Sequence, residues 1–145
     1  MPSETRVTLQ LVVADASVAL KWFHAAGEEA VKPARAILEA FARQQIDLVI
    51  LDLTIYEIGN VLLRRAGAGP QATATVLDAL TEICQPVTLS GPERETAARL
   101  ASEHYLSFTD AAYAAVAQER RGRLVTLSHE LLEAHLGVRP EDALA

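Results

Sequence analysis

The sequence predicts an α/β fold three layers deep, with a central, mostly parallel sheet of four or five strands between two layers of helices. Short apolar runs recur at 11–14, 48–51, 86–89 and 124–127, and runs this short and uniformly apolar suit strands buried on both faces. Between them lie longer stretches with apolar residues at i, i+3 and i+4, the spacing of a helix with one buried stripe. Strands regularly separated by helices run parallel, because each crossover returns the chain to the same edge of the sheet. With 145 residues, half of them apolar, the chain suffices for one core and is short for two, so one domain over 1–145 is expected, residues 1–8 forming a loose N-terminal extension.

Each element has a local reason. The first run ends at Asp15, and residues 17–23 follow with Val18, Ala19, Trp22 and Phe23 at helical spacing. Residues 28–45 keep the helical rhythm through Val31, Ala34, Ile37, Leu38, Phe41 and Ala42, with Pro33 in a first turn or at a kink. The second strand leads into a helix over 54–66 whose inward face is Ile55, Ile58, Leu62 and Leu63, stopped by Gly67-Ala68-Gly69-Pro70. Proline at position 70 opens a helix to Ile83. After the third run, Gly91-Pro92-Glu93 opens a helix to about Tyr105, another spans 109–121, and a last one follows the fourth strand over 129–135.

Composition excludes several function classes. No apolar stretch approaches the roughly 20 residues a membrane helix needs, and MPSETRV lacks the cationic and apolar segments of a secretory leader. A cytoplasmic protein is therefore expected. Cys84 is the sole cysteine, so neither an internal disulfide nor a cysteine zinc cluster is possible, and its apolar setting reads as packing. The histidines, His24, His104, His129 and His135, offer no i, i+4 pair with a third ligand. A net charge of −6 argues against nucleic-acid binding by bulk electrostatics. The basic clusters Arg64-Arg65 and Arg120, Arg121, Arg123 matter as phosphate contacts only if they flank one cleft, and otherwise read as solvated helix ends.

Acids stand where parallel sheets gather function, beyond the carboxyl ends of strands. Asp15 directly follows the first strand. Asp110 opens the helix that precedes the fourth, and Glu57 lies early in the helix after the second, with Asn60 and Arg64 continuing its face. Singly, each has a plain reading: Asp15 or Ser17 as a helix cap, Asp110 as a charge at a helix start, Glu57 as a surface residue. Together, three carboxylates would repel one another unless a cation lies between them, and hard divalent ions bind a few carboxylates plus substrate phosphate.

Three segments, DASVALKWF after a strand, LTIYEIGNVLLR in a helix and LSFTDAAYAAVAQERRGRLVTL leading into a strand, resemble the PIN domain, and more closely the VapC-type toxin ribonucleases of toxin–antitoxin pairs; the likeness runs over residues 11–138. The resemblance implies a PIN-like three-layer domain, RNA cleavage dependent on Mg2+ or Mn2+, homodimers, and neutralisation by a VapB-like antitoxin. It assigns the metal-holding, catalytic acids to Asp15, Glu57 and Asp110. The family's fourth acid, after LVTL, is here Ser128, a neutral oxygen, so one ion is expected to bind well and a second weakly. Thr109 and Thr126 are candidate supporting hydroxyls. Glu130 follows closely, but the next helix is expected to turn it away. Asp52 reads as a helix cap, Trp22 as core or dimer contact, and Lys21 as facing phosphate or solvent.

Two rival readings remain. A haloacid-dehalogenase-like phosphatase needs a second Asp two residues after the first, where this chain has Ser17. A non-catalytic PIN-like RNA-binding or protein-interaction module is the alternative that the loss of the fourth acid favours.

Overall fold

A computed structural model describes residues 8–23 and 29–144; His24 and the expected N-terminal extension up to residue 7 lie outside the described residues. The elements follow the expected alternation: β1 (Gln10–Ala14), α1 (Ala16–Ala19) with a 3-10 turn (Leu20–Trp22), α2 (Val31–Ala42), β2 (Ile46–Leu51), α3 (Asp52–Arg64), α4 (Pro70–Ile83), β3 (Pro86–Val87), α5 (Gly91–His104), α6 (Phe108–Glu119), β4 (Arg123–Val125), α7 (His129–Glu133) and a second 3-10 turn (Pro140–Asp142). The sheet has four strands in the order β3-β2-β1-β4, all parallel. The fold class read from the sequence stands, with four strands. A single parallel bridge, Val125 to Val138, extends the β4 edge without forming a fifth strand.

The central strand β1 decides the layering. Val12, Val13 and Ala14 are fully buried, and because successive strand residues face opposite sides of a sheet, they enter different halves of the core. Val12 and Ala14 pack with Ile37 of α2, Ile58 and Leu62 of α3 and Leu80 of α4. Val13 packs with Leu100 of α5, Leu131 of α7 and the inner length of α6. In α6 every residue from Ala111 to Ala117 is buried; small side chains let this helix sit close against its neighbours, and Tyr113 alone among them is large.

The ends of α5 and α6 are clamped by one buried acid. Ser90 and Glu93 cap α5 reciprocally, the Ser90 hydroxyl accepting from Glu93 N and Glu93 Oε1 accepting from Ser90 N at 2.9 Å. The same carboxylate accepts from Arg120 Nε at 2.7 Å across to the end of α6, and that guanidinium holds the carboxyl below the ordinary range. Arg120 is thereby a structural residue.

Three local expectations are corrected. Leu63 faces outward, half exposed, because the buried stripe of α3 is completed by Gly59 and Leu62. Asp52 is the first helical residue rather than the cap; the cap position is Leu51, whose N–H is satisfied by the Thr54 hydroxyl at 3.1 Å. Strand β3 is only Pro86–Val87, so Leu89 lies beyond it and packs against the α5–α6 half of the core. Trp22 is 7% exposed and donates from Nε1 to Ala34 O at 2.9 Å. It is a core residue joining the first 3-10 turn to α2.

Beyond α7 the chain passes close to β4. A Cβ on Gly137 would lie 2.8 Å from Thr126 Cγ2 and 3.2 Å from Leu124 O. Gly137→Ala is therefore expected to destabilise the protein by about 1–3 kcal/mol, read as a lower urea midpoint; an unchanged midpoint would show that this segment yields freely.

Candidate active site

Asp15 lies one residue beyond β1 and caps α1 from an extended backbone conformation. Its Oδ1 accepts from the Ser17 hydroxyl at 2.5 Å and from Val18 N at 3.2 Å, while Oδ2 accepts from the Thr126 hydroxyl. Each hydroxyl is oriented from behind by a backbone donor: Leu127 N to Ser17 Oγ and Ser128 N to Thr126 Oγ1, both at 2.9 Å. A hydroxyl that accepts from an N–H keeps its own proton for the carboxylate. Asp15 is nevertheless 4% exposed. Burial pushes its carboxyl up to about 6, against the pull of Ser17, Thr126 and Val18, and the charge of Asp110 raises it further.

Glu57, on the second turn of α3, is half-buried. Its Oε1 accepts from the Tyr113 hydroxyl at 2.7 Å. Burial raises its carboxyl, the Tyr113 bond opposes this, and Asp110 again raises it. The Tyr113 oxygen also lies 2.7 Å from Thr54 Oγ1. Burial, followed by the charge of Glu57, pushes the phenol far above its ordinary value, so it stays neutral.

Asp110 stands in the first turn of α6, whose cap is Ser107; the Ser107 hydroxyl accepts from Asp110 N at 3.1 Å. Its carboxyl is raised by burial first and by the charge of Glu130 second, with the Ser128 hydroxyl opposing. Ser128 Oγ lies 3.5 Å from Asp110 Oδ2 and 3.2 Å from Glu130 Oε2. One hydroxyl proton serves only one of these acceptors at a time. The expectation that α7 turns Glu130 away is corrected: one hydroxyl lies between it and Asp110. The first turn of α7 is short enough to bring the exposed Glu130 back over Ser128.

The geometry thus brings Asp15, Glu57 and Asp110 to one rim of the sheet: Tyr113, one turn after Asp110, bonds Glu57, while Thr126 bonds Asp15 and accepts from the N–H of Ser128, whose hydroxyl meets Asp110. Thr126 holds Asp15 and Ser128 meets Asp110, whereas no hydrogen bond joins Thr109 to the acids among the described residues. No arginine pairs with the three acids among the described residues. Also among the described residues, no three His, Cys, Asp or Glu side chains already stand at ligating separation. The donors are hard oxygens whose negative charge is held in place by neutral hydroxyls, a set that fits Mg2+ or Mn2+ and not a thiophilic metal.

Beside the acids an open groove of about 750 Å³ runs between α1 and α3, lined among others by Ser17, Lys21, Glu57, Asn60, Arg64 and Arg65. One basic cluster therefore shares a groove with Glu57. The other is engaged elsewhere: Arg120 holds Glu93, and Arg123 donates to the backbone carbonyls of Asp142 and Ala143. Spacing alone does not single out Tyr113 or Thr54. The available signal is that Tyr113 is the one bulky residue in the alanine run that begins immediately after Asp110.

Several known proteins resemble this chain in sequence or in fold. Exonuclease VapC9 of Pyrobaculum aerophilum is 40% identical over 86 residues, which span 59% of this chain and 65%, under two thirds, of that protein. The crystal structure of PAE2754 from the same organism superposes with a TM-score of 0.63 at 30% identity, covering 92% of this chain and 90% of that one. A toxin–antitoxin complex from Klebsiella pneumoniae shares the fold, with a TM-score of 0.64 at 22% identity over 89% of this chain and 97% of the other. With the PIN domain model matching residues 12–135, this chain belongs to the PIN domain family.

Proposed function

We propose that this chain is a VapC-type toxin, a metal-dependent endoribonuclease neutralised by a VapB-like antitoxin. The observation that carries the reading is that Asp15, Glu57 and Asp110, from three separate segments, lie at one rim of a parallel sheet without an arginine partner among the described residues, each carboxyl raised first by its own burial. Such a cluster is stable at neutral pH when a cation shares it. Asp15, Glu57 and Asp110 would hold Mg2+ or Mn2+, which when bound polarises a phosphoryl oxygen and acidifies water.

The chain's own groups prepare the site. Ser17 and Thr126 fix both oxygens of Asp15, and Tyr113 fixes one of Glu57. Arg64 and Arg65 lie seven and eight residues beyond Glu57 on α3 and line the same groove. At 1.5 Å per residue they stand about 10–12 Å along the helix axis, a separation suited to backbone phosphates neighbouring the one that reacts. An otherwise acidic protein thereby offers a local cationic track to RNA. The same groove suits a basic antitoxin segment whose Arg or Lys competes with the cation among the carboxylates. The Klebsiella neighbour is a toxin–antitoxin complex, which supports such a partner. Homodimerisation and a cytoplasmic location belong to the same reading; among the described residues no helix is long and apolar enough to cross a membrane.

The Pyrobaculum relative is named an exonuclease, so the mode of cleavage needs its own test. With Mn2+ or Mg2+ the purified protein is expected to open a closed circular RNA, leaving 5′-phosphate and 3′-hydroxyl ends. Cleavage of linear RNA alone would indicate an exonuclease, and a cyclic phosphate product would exclude activated water. Asp110→Asn is expected to lower cleavage on the order of a hundredfold or more with no loss of thermal stability; equal rates would remove Asp110 from the catalytic set, and no metal-dependent cleavage by the parent would leave the non-catalytic module, which the neutral Ser128 favours.

Stability should also depend on pH through Asp15. Its carboxyl is raised from 3.8 to about 6 in the folded protein, so folding takes up a proton between those values and the metal-free protein loses stability as pH rises through them. The loss amounts to about 3 kcal/mol by pH 7. Millimolar Mg2+ should raise the melting temperature at pH 7.5 and much less at pH 5; a Mg2+ effect equal at both pH values would refute the coupling.

A further inference from the structure

We infer that Tyr113 and Thr54 form a positioning pair that holds the Glu57 carboxylate in place for a cation and fixes it relative to Asp110. This rests on the reading that Glu57 is a cation ligand. Tyr113 is 1% exposed within a helix whose other buried residues are alanine and valine. A phenylalanine would fill the same volume without the cost of burying a hydroxyl, so the hydroxyl demands partners. It finds them on α3: Glu57 Oε1 at 2.7 Å and Thr54 Oγ1 at 2.7 Å.

Counting protons gives the chain a direction. An ionised Glu57 only accepts, so the phenol must donate to it. Thr54 Oγ1 already accepts from Leu51 N at 3.1 Å, and its own proton is left for the Tyr113 oxygen. The order runs from the Leu51 amide through Thr54 and Tyr113 to Glu57, beginning at the backbone where β2 becomes α3. Leu51 itself is fully buried at the carboxyl end of β2, an inner strand of the sheet. Tyr113 also lies one turn after Asp110 on α6, while Ile58 and Leu62 of α3 pack in the other half of the core. The two bonds therefore tie the helix carrying Glu57 directly to the helix carrying Asp110.

The pair is tested by Mn2+ titration calorimetry on metal-free protein at fixed pH, alongside unfolding without metal. Tyr113→Phe removes one oxygen and Thr54→Val one hydroxyl, each keeping the side-chain volume. Both are expected to weaken Mn2+ binding roughly tenfold, while Thr54→Ser, which restores the hydroxyl, stays within about twofold of the parent. In a Glu57→Gln background Tyr113→Phe should change Mn2+ affinity by less than about twofold, because its route to the ion has been removed. Parent-like binding by Tyr113→Phe, or the same loss in both backgrounds, would overturn the pair as a positioning device. Two results distinguish the levels: Mn2+ binding unaffected by Glu57→Gln overturns the ligand reading and the pair with it. Binding that Glu57→Gln loses and Tyr113→Phe retains overturns the pair alone.

Discussion

Three carboxylates on three different segments are brought to one edge of a parallel sheet, and holding these partly buried acids there without a paired arginine among the described residues is the constraint on which the site depends. Repulsion between buried like charges scatters side chains or protonates them unless neighbours resist. Here resistance comes from neutral donors. Ser17, Thr126 and Val18 hold Asp15, Tyr113 holds Glu57, and Ser128 approaches Asp110. Neutral donors orient a carboxylate without cancelling its charge, so the negative potential of the cluster survives. An arginine in any of these places would have paired with a carboxylate and cancelled that charge.

The architecture serves this end. Parallel strands deliver successive chain segments to the same rim, and the order β3-β2-β1-β4 makes β1 the central strand, with β2 and β4 on either side. Thr126 follows β4 directly, and the register pairs Ala14 with Val125. Asp15 and Thr126 are therefore neighbours by strand pairing, and their hydrogen bond extends the sheet into the site. Glu57 and Asp110 depend on helices instead, and Tyr113 links those helices.

Much of this was legible in the sequence. Short apolar runs and helical spacing yield the strand order in the chain, the helices and the parallel class, because burial on two faces leaves a plain signature. Asp15, Glu57 and Asp110 stand out because strand ends and helix starts can be located to within a turn. What escaped has a common cause. Leu63 faces solvent because α3 is turned so that Gly59 and Leu62 are buried, with Gly59 facing Leu77 of α4, a packing choice that helical spacing alone does not decide. Glu130 nears Asp110 because α7 begins so tightly after β4. Thr54 and Tyr113 are ordinary residues in ordinary helical positions until a contact 59 residues apart joins them.

The helix that carries Asp110 is enclosed for seven consecutive residues, from Ala111 to Ala117. Most helices keep a wet side on which substitutions accumulate and along which the element can roll by a few degrees. This one has no such side over nearly two turns, so any enlarged residue meets a neighbour whichever way it points. Asp110 stands at the head of that stretch: the placement of a half-buried acid is set by a length of helix packed on every side.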